Sequence, residues 1–456
     1  MRTFPWFLGL LATIIGVSCA VKLTGLQVFA VAIFASFILG TLFYWPFRLA
    51  FALLGMTALL AFRVIDIPHM IEFANVEIIL FLVAMMIVIG FLEQRKFFEV
   101  LLERLLVSVE RTPYLLFGSM MALSMLSAAL VDEVTSILFM TSLTLHLTRR
   151  LKLDPLPFII MIVLATNIGS SATVVGNPIG VLIALRAGLS FTDFLRWATP
   201  VALANLVLTI GICFLYFRRP LRELADGIRR SRQEAIEVER VSRREFRTAG
   251  LLFGATILGL ILHHQAEQIL SLPKNTLLLG VPFLMAGIAL LIEGEKARDL
   301  VERRVDWWTL AFFILLFASV GTLRYVGVTD RIAEGLRALA GTSQVGMLAL
   351  ILGISAVLTA FLDNILVVAT FIPIVADLGA SGLTVAPLWW GLLFGGTLGG
   401  NATMIGSTAN IVAIGMLEKE KRPVRFGQWL GPGLAVAVPT LVLAFLLLLI
   451  QLPLLH

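Results

Sequence analysis

Asn167-Ile-Gly-Ser-Ser-Ala-Thr-Val-Val-Gly176 and Thr397-Leu-Gly-Gly-Asn-Ala-Thr-Met-Ile-Gly406 are two versions of one pattern, with Gly, Ala, Thr and Gly at the same spacing. Each copy interrupts a long apolar run, Leu156–Leu185 and Leu388–Met416, and each is broken again just after, at Gly176-Asn177-Pro178 and Gly406-Ser407-Thr408. A few dozen residues upstream of each lies a pair of apolar segments parted by a polar break. Asp132-Glu133 separates Tyr114–Leu130 from Val134–Leu147, and Asp363-Asn364 separates Val345–Leu362 from Ile365–Ile374. Two matching breaks in corresponding places of two halves are the sequence mark of a secondary-transporter site.

The rest of the chain fits that frame. It is 59% hydrophobic and 14% charged, against about 25% charged for a soluble domain, so it cannot cover a water-facing surface. Its apolar runs are as long as a bilayer-crossing helix, about 20 residues, and do not alternate at period two as an outer-membrane barrel would. The expected fold is therefore an all-α polytopic membrane protein. It should hold two inverted repeats, each with a re-entrant helical hairpin and a broken transmembrane helix. Residues 1–76 form N-terminal spans, 77–217 the first repeat (hairpin 114–147, broken helix 156–185), and 218–247 a basic linker. Residues 248–305 form connecting spans and 306–456 the second repeat (hairpin 345–374, broken helix 388–416). Glu93–Arg111 and Val328–Leu339 read as amphipathic. Met1-Arg2 and the run ending at Cys19 loosely resemble a lipoprotein signal, but Gly16 stands where a large aliphatic is expected, and an uncleaved first span is the better reading.

Loop charge supplies the orientation. The net charge is +6, and the excess basic residues sit in short loops rather than in a stripe interleaved with aromatics, which argues against nucleic acid. Arg2, Arg95/Lys96/Arg104/Arg111, Arg149/Arg150/Lys152, the arginine linker, Lys296/Arg298/Arg303/Arg304 and Lys419/Lys421/Arg422/Arg425 should share the cytoplasmic side. The spans thread that way only if hairpin 114–147 enters from the cytoplasm and hairpin 345–374 from outside. The N-terminus and linker are then cytoplasmic and the C-terminus outside, in a bacterial inner membrane.

Acidic groups at mid-membrane cost about 2.5–3.5 kcal/mol each, so Asp132, Glu133 and Asp363 are candidates for function. The plainer reading of Asp132 and Asp363 is that each caps the returning helix of its hairpin. Capping alone does not explain a carboxylate where Ser or Asn would serve. Glu133 beside Asp132 makes a repelling pair suited to one shared proton, or else a tip carboxylate facing a basic or aqueous pocket. Asn364 completes the second tip. Asn167, Gly169, Ser170, Ser171, Thr173, Gly176 and Asn177 in the first break, with Gly399, Gly400, Asn401, Thr403, Gly406, Ser407, Thr408 and Asn410 in the second, supply carbonyls, hydroxyls and amides for an ion or substrate. Packing of small residues between helices is the competing reading. No cofactor or metal is expected beyond a bound Na⁺. Cys19, Cys213, His69, His146 and His263-His264 show no metal spacing, His263 and His264 reading as interfacial at a span end. Neither a phosphate loop nor a Ser-His-Asp set nor a dinucleotide fingerprint is present.

Ala129-Leu-Val-Asp132-Glu-Val-Thr135, Ala165-Thr-Asn-Ile-Gly169 through Gly176-Asn-Pro178, Phe361-Leu-Asp363-Asn364 and Leu398-Gly-Gly-Asn401-Ala-Thr-Met-Ile-Gly406-Ser-Thr-Ala-Asn410 resemble the ArsB/NhaD ion-transporter superfamily. The last is closest to its P-protein-like branch, and the divalent-anion/sodium symporters share the fold. The resemblance runs from about Glu77 to the C-terminus. It implies a homodimer moving its transport domain elevator-fashion, with ion and substrate sites at the hairpin tips and unwound loops. Three departures matter. The first tip is Asp132-Glu133 where related branches have Asp-Asn, the first loop reads Asn177-Pro178-Ile179-Gly180 rather than Asp-Pro-Pro-Asn, and neither tip has the Ser-Asn-Thr of the dicarboxylate branch.

These readings converge on a secondary active transporter coupled to H⁺ or Na⁺ through Asp132/Glu133 and Asp363, exporting a small inorganic ion or weak acid. Na⁺-coupled uptake of a di- or tricarboxylate is the alternative. An intramembrane aspartyl protease is the rival of a different class, but it would show Tyr-Asp and Gly-x-Gly-Asp, not Val131-Asp132 and Leu362-Asp363. A membrane scaffold would not need the breaks. The expected partners are a small ion and membrane lipid, and no enzymatic activity is expected.

Overall fold

The structure, a computed structural model, describes residues 4–44, 47–97, 100, 113–230, 242–341, 343–380 and 382–454, and all regular structure among them is helical. The chain opens with α1 (Phe4–Ala20), α2 (Gly25–Phe43), α3 (Arg48–Ala61), the short α4 (Ile67–Phe73) and α5 (Val76–Gln94). Then come α6 (Pro113–Leu130), α7 (Glu133–Arg150), α8 (Leu156–Ser170), α9 (Pro178–Ala187) and α10 (Phe191–Tyr216). The middle holds α11 (Arg218–Arg230), α12 (Arg243–Leu270), α13 (Thr276–Glu293), α14 (Ala297–Arg304), α15 (Trp307–Tyr325) and α16 (Val328–Ala340). The last part has α17 (Gln344–Thr359), α18 (Asn364–Ala380), α19 (Ala386–Leu398), a 3₁₀ turn over Gly399–Ala402, α20 (Thr408–Lys419) and α21 (Phe426–Gln451).

Eight helical stretches among the described residues are long and apolar enough to cross a bilayer. Large apolar side chains such as Leu54, Val207 and Leu291 lie exposed, while Asn167, Asn205, Asn401 and Asn410 are buried. Apolar outside and polar inside is the arrangement an integral membrane protein needs, because lipid offers exposed polar groups no hydrogen-bond partner.

Two helical hairpins and two interrupted helices occur, over residues 113–150 and 344–380 and over 156–187 and 386–419. The pair α6 and α7 turns back on itself at Val131-Asp132, and α17 and α18 turn back across residues 360–363. The first helix of each hairpin packs along the first half of its own broken helix, α6 on α8 and α17 on α19. Each returning helix then reaches into the other half of the chain, α7 against α20 and α18 against α9. This exchange brings the four breaks together.

Ion pairs sort the helix ends. Arg95 pairs with Glu293 at 2.8 Å and Arg304 with Glu93 at 3.0 Å, joining the ends of α5, α13 and α14. The opposite end of α5 carries the Glu77–Arg186 pair at 3.2 Å, and Arg186 shares a cavity of about 280 Å³ with Glu72 and Arg324. Arg324 in turn lies 3.6 Å from Asp377 of α18. Arg149 at the end of α7 pairs with Glu420, and Arg422 lies 3.5 Å from Asp154 just before α8. Between α3 and α4, Asp66 accepts from the backbone N–H of His69 at 2.9 Å and lies 2.6 Å from its Nδ1. These bonds hold its carboxyl below the usual carboxylate range.

Two expectations need adjustment, and others fall outside the described residues. His263 is not at a span end. It sits within α12, 1% exposed, with Nδ1 2.7 Å from the Leu260 carbonyl, because α12 continues to Leu270. The span after the basic linker begins at Arg243, so the last residues assigned to that linker belong to α12. Of the amphipathic stretch Glu93–Arg111, residues 98–99 and 101–111 lie outside the described residues, as do Arg2 and residues 231–241 of the linker.

Candidate functional site

Each hairpin tip is shaped by its aspartate. Asp132 Oδ1 accepts from the N–H groups of Val134 at 2.7 Å and Thr135 at 2.9 Å, capping α7. Asp363 Oδ1 does the same for Ile365 at 3.0 Å and Leu366 at 3.4 Å, capping α18. An aspartate here satisfies otherwise orphaned donors and matches the positive end of the helix. Both aspartates are partly exposed, whereas the next residues, Glu133 and Asn364, are buried at 2% and 1% exposure.

The two unwound loops are built alike. A Cβ on Gly169 would collide with the Met125 backbone and one on Gly399 with the Ala356 backbone, so only glycine lets the broken helices touch their hairpins. Thr173 Oγ1 donates to the Ala129 carbonyl, and Thr403 Oγ1 to the Ala360 carbonyl, tying each loop to its hairpin just before the tip. Gly176 passes the Ser170 carbonyl as Gly406 passes that of Gly400. Asn177 restarts α9 by accepting from the Gly180 N–H at 2.9 Å, with Pro178 in the first turn, and Ser407 restarts α20 by accepting from the Asn410 N–H at 3.2 Å.

A polar circuit runs through all four breaks. Asn364 Nδ2 of one tip approaches Glu133 Oε1 of the other at 3.5 Å. Glu133 also lies beside Ser170, whose hydroxyl donates to the Asn167 carbonyl at 2.9 Å and accepts from Asn177 Nδ2 at 3.0 Å. Asn167 Nδ2 crosses to the second loop, donating to Asn401 Oδ1 at 2.8 Å and Asn410 Oδ1 at 2.9 Å. The single Ser407 hydroxyl proton is shared between Asn410 Oδ1 at 2.8 Å and Asn167 Oδ1 at 3.0 Å. Thr408 Oγ1 closes the circuit, donating to Asp363 Oδ2 at 3.2 Å. Two atoms stand out in this buried network: Glu133 Oε2 and Asn401 Nδ2 have no hydrogen-bond partner. Unpaired buried polar atoms are costly and mark places where a ligand, ion or proton belongs.

Most of the residues singled out in the sequence thus meet at one place. Ser171 does not join them, since its hydroxyl donates to the Ile168 carbonyl at 2.7 Å and finishes α8. Two contributors were missed in the sequence. Trp429 Nε1 donates to the Asn401 carbonyl at 3.2 Å from α21. Arg48, in the first turn of α3, donates to Thr309 Oγ1 at 2.9 Å, lies over the Phe312 ring at 5.1 Å, and stands within electrostatic range of Asp363. An arginine inside an apolar span is the clue that could have found it. Among the described residues no group of three or more His, Cys, Asp or Glu is placed to hold a metal ion.

The chain is similar to known proteins. The family model described as citrate transporter, CitMHS, matches residues 34–395. An uncharacterized transporter of Mycobacterium tuberculosis is 33% identical over 375 residues, 81% of this chain and 84% of its own length. The human P protein is 27% identical over 467 residues, covering 85% of this chain and 55% of that protein. The crystal structure of the Alcanivorax borkumensis YdaH transporter superposes with a TM-score of 0.59 at 16% identity, over 85% of this chain and 87% of that one. The superfamily resemblance read from the motifs stands.

Proposed function

We propose that this chain, which belongs to the CitMHS citrate-transporter family, is a secondary active transporter that exchanges protons, or Na⁺, for a small inorganic ion or weak acid and works as an exporter. One observation carries the reading. Glu133 of the first tip meets Asn364 of the second, and its other carboxylate oxygen is buried without a hydrogen-bond partner, within electrostatic range of Asp363 and Asp132. A buried carboxylate among like charges is relieved by taking up a proton or a cation. Glu133 is the group whose loading changes the charge of the whole junction, while the partly exposed Asp132 and Asp363 add negative charge at the two tips.

The acidity of the site also argues for direction. Three carboxylates repel an anion entering alone, so a neutral weak acid, a cation or a proton is the natural cargo. The transporter alternates access elevator-fashion. Hairpins α6–α7 and α17–α18 move with the broken helices as one interlocked body, because each returning helix packs into the other half. The hairpins are re-entrant and the repeats inverted. The ion pairs support this, tying the end of α7 to one set of helix ends and α18 to the opposite set. By resemblance the assembly is a homodimer in a bacterial inner membrane.

The family's description favours a second reading, uptake of a citrate-like anion, in which co-bound cations offset the carboxylates. Proteoliposomes under an imposed pH gradient separate the two. The first reading expects gradient-driven flux of a weak acid or inorganic ion, lowered about tenfold or more in Glu133→Gln, which is about 1.4 kcal/mol of barrier. Unchanged flux in Glu133→Gln, Asp132→Asn and Asp363→Asn would sink the site. Citrate-dependent, Na⁺-driven uptake would replace export by the second reading.

A further inference from the structure

The two loops share their build but differ at several aligned positions, and one such pair, Gly180 and Asn410, lies in the first turn of the restarted helix. Each is the third residue of the restarted helix and donates its N–H to the capping residue before it. Gly180 has no side chain, and the carbonyls of Thr173 and Val174 lie 2.9 and 2.8 Å from where its Cβ would stand. Asn410 carries a side chain at the corresponding position. Its Nδ2 donates to the Gly400 carbonyl at 2.8 Å and the Thr403 carbonyl at 2.7 Å. Its Oδ1 accepts from Asn167 and Ser407, so the whole amide is engaged in a fully buried setting.

Carbonyl oxygens of an unwound membrane helix are the groups that coordinate Na⁺. An amide nitrogen with two hydrogens is a donor of similar reach. It satisfies two such oxygens at once, carries no titratable proton and cannot dissociate. We infer that Asn410 is a built-in substitute for a cation in the second loop, leaving ion coupling to the first loop and its Asp132-Glu133 tip. This rests on the transporter reading above and adds to it. The two halves share an architecture, but only one is exchangeable with solvent ions, and the second is fixed to orient the cargo and the Asp363 tip. The same division explains why the first tip carries two carboxylates and the second only one. Two acids serve the half that gains and loses charge.

The test removes the substitute and asks whether a cation takes its place. Thermal unfolding of the purified full-length protein in detergent is followed in NaCl and in choline chloride at equal ionic strength, for wild type, Asn410→Asp and Asn410→Ala. Asn410→Asp sets an acceptor against the Gly400 and Thr403 carbonyls, and Asn410→Ala leaves those carbonyls without their donor. Both variants are expected to be stabilised by Na⁺ beyond whatever shift the wild type shows. If Asn410→Asp does not fold, Asn410→Ala decides alone. A Na⁺ response equal to that of wild type overturns the inference. The readout is binding rather than flux, so it is independent of the transport assay. A gained Na⁺ response in a protein that shows no coupled flux would keep the substitute and reject the transport cycle. Coupled flux without a gained response would do the opposite.

Discussion

Asp132 and Asp363 each combine two jobs that substitution can separate. As caps they accept two backbone hydrogen bonds, and as carboxylates they bring charge to the junction of the four breaks. Asn is as good a cap as Asp, while Ala at such a position costs about 1 kcal/mol. Asp132→Asn and Asp363→Asn should therefore unfold in detergent close to wild type, and the Ala variants should lose about 1 kcal/mol each. All four should lose coupled flux. Asn variants that unfold as early as the Ala variants would show that the charge itself holds the tips in place. The carboxylates were legible in the sequence because a charge between apolar runs has few uses. The meeting of Glu133 with Asn364 was not, since it joins residues far apart in the chain through the exchange of returning helices. Arg48 was overlooked for a related reason, as its interest comes from Asp363, which is remote in sequence.

The broken helices depend on backbone approaching backbone. At Gly169 a Cβ would stand 2.7 Å from Met125 Cα, and at Gly399 2.5 Å from Ala356 Cα. Backbone cannot swing aside as a side chain can, so Gly169→Ala or Gly399→Ala must push a hairpin off its partner, at about 1–3 kcal/mol. Gly287 in α13 is the control, because a Cβ there meets nothing within 4 Å. Gly287→Ala should stabilise by about 0.5–1 kcal/mol through helix propensity. Chemical or thermal unfolding in detergent reads both signs. Equal effects at all three positions would mean that the close contacts do not hold the loops. The breaks were readable because glycine, proline and short caps are local signals. The partner helix of each break left no local trace, so the pairing of α7 with α20 and of α18 with α9 came only from the structure.

The proposed inversion of the halves is a statement about which end of the molecule each hairpin enters from, and the surface charge makes it measurable. Arg298 near α14 and Asp154 before α8 belong to the end that also carries Arg95, Arg304, Arg149 and Arg422. Lys274 lies near Gly188, and Thr384 follows α18 and accepts from Gln344 Nε2 at 2.5 Å, so both belong with Arg186 and Arg324 at the other end. The positive-inside rule assigns the arginine-rich end to the cytoplasm. With Cys19 and Cys213 replaced, single cysteines at Asp154, Arg298, Lys274 and Thr384 can be labelled in spheroplasts with a membrane-impermeant maleimide. Lys274→Cys and Thr384→Cys should react in intact spheroplasts, and Asp154→Cys and Arg298→Cys only after lysis. Asp154 marks the return of the first hairpin and Thr384 that of the second, so their labelling from one side would mean that the hairpins enter together and the halves are not inverted. A complete reversal, with all four sites exchanged, would keep the inversion and turn the whole molecule over. The direction of exchange would not change, because the proton gradient and the antiport coupling set it whichever way the molecule faces.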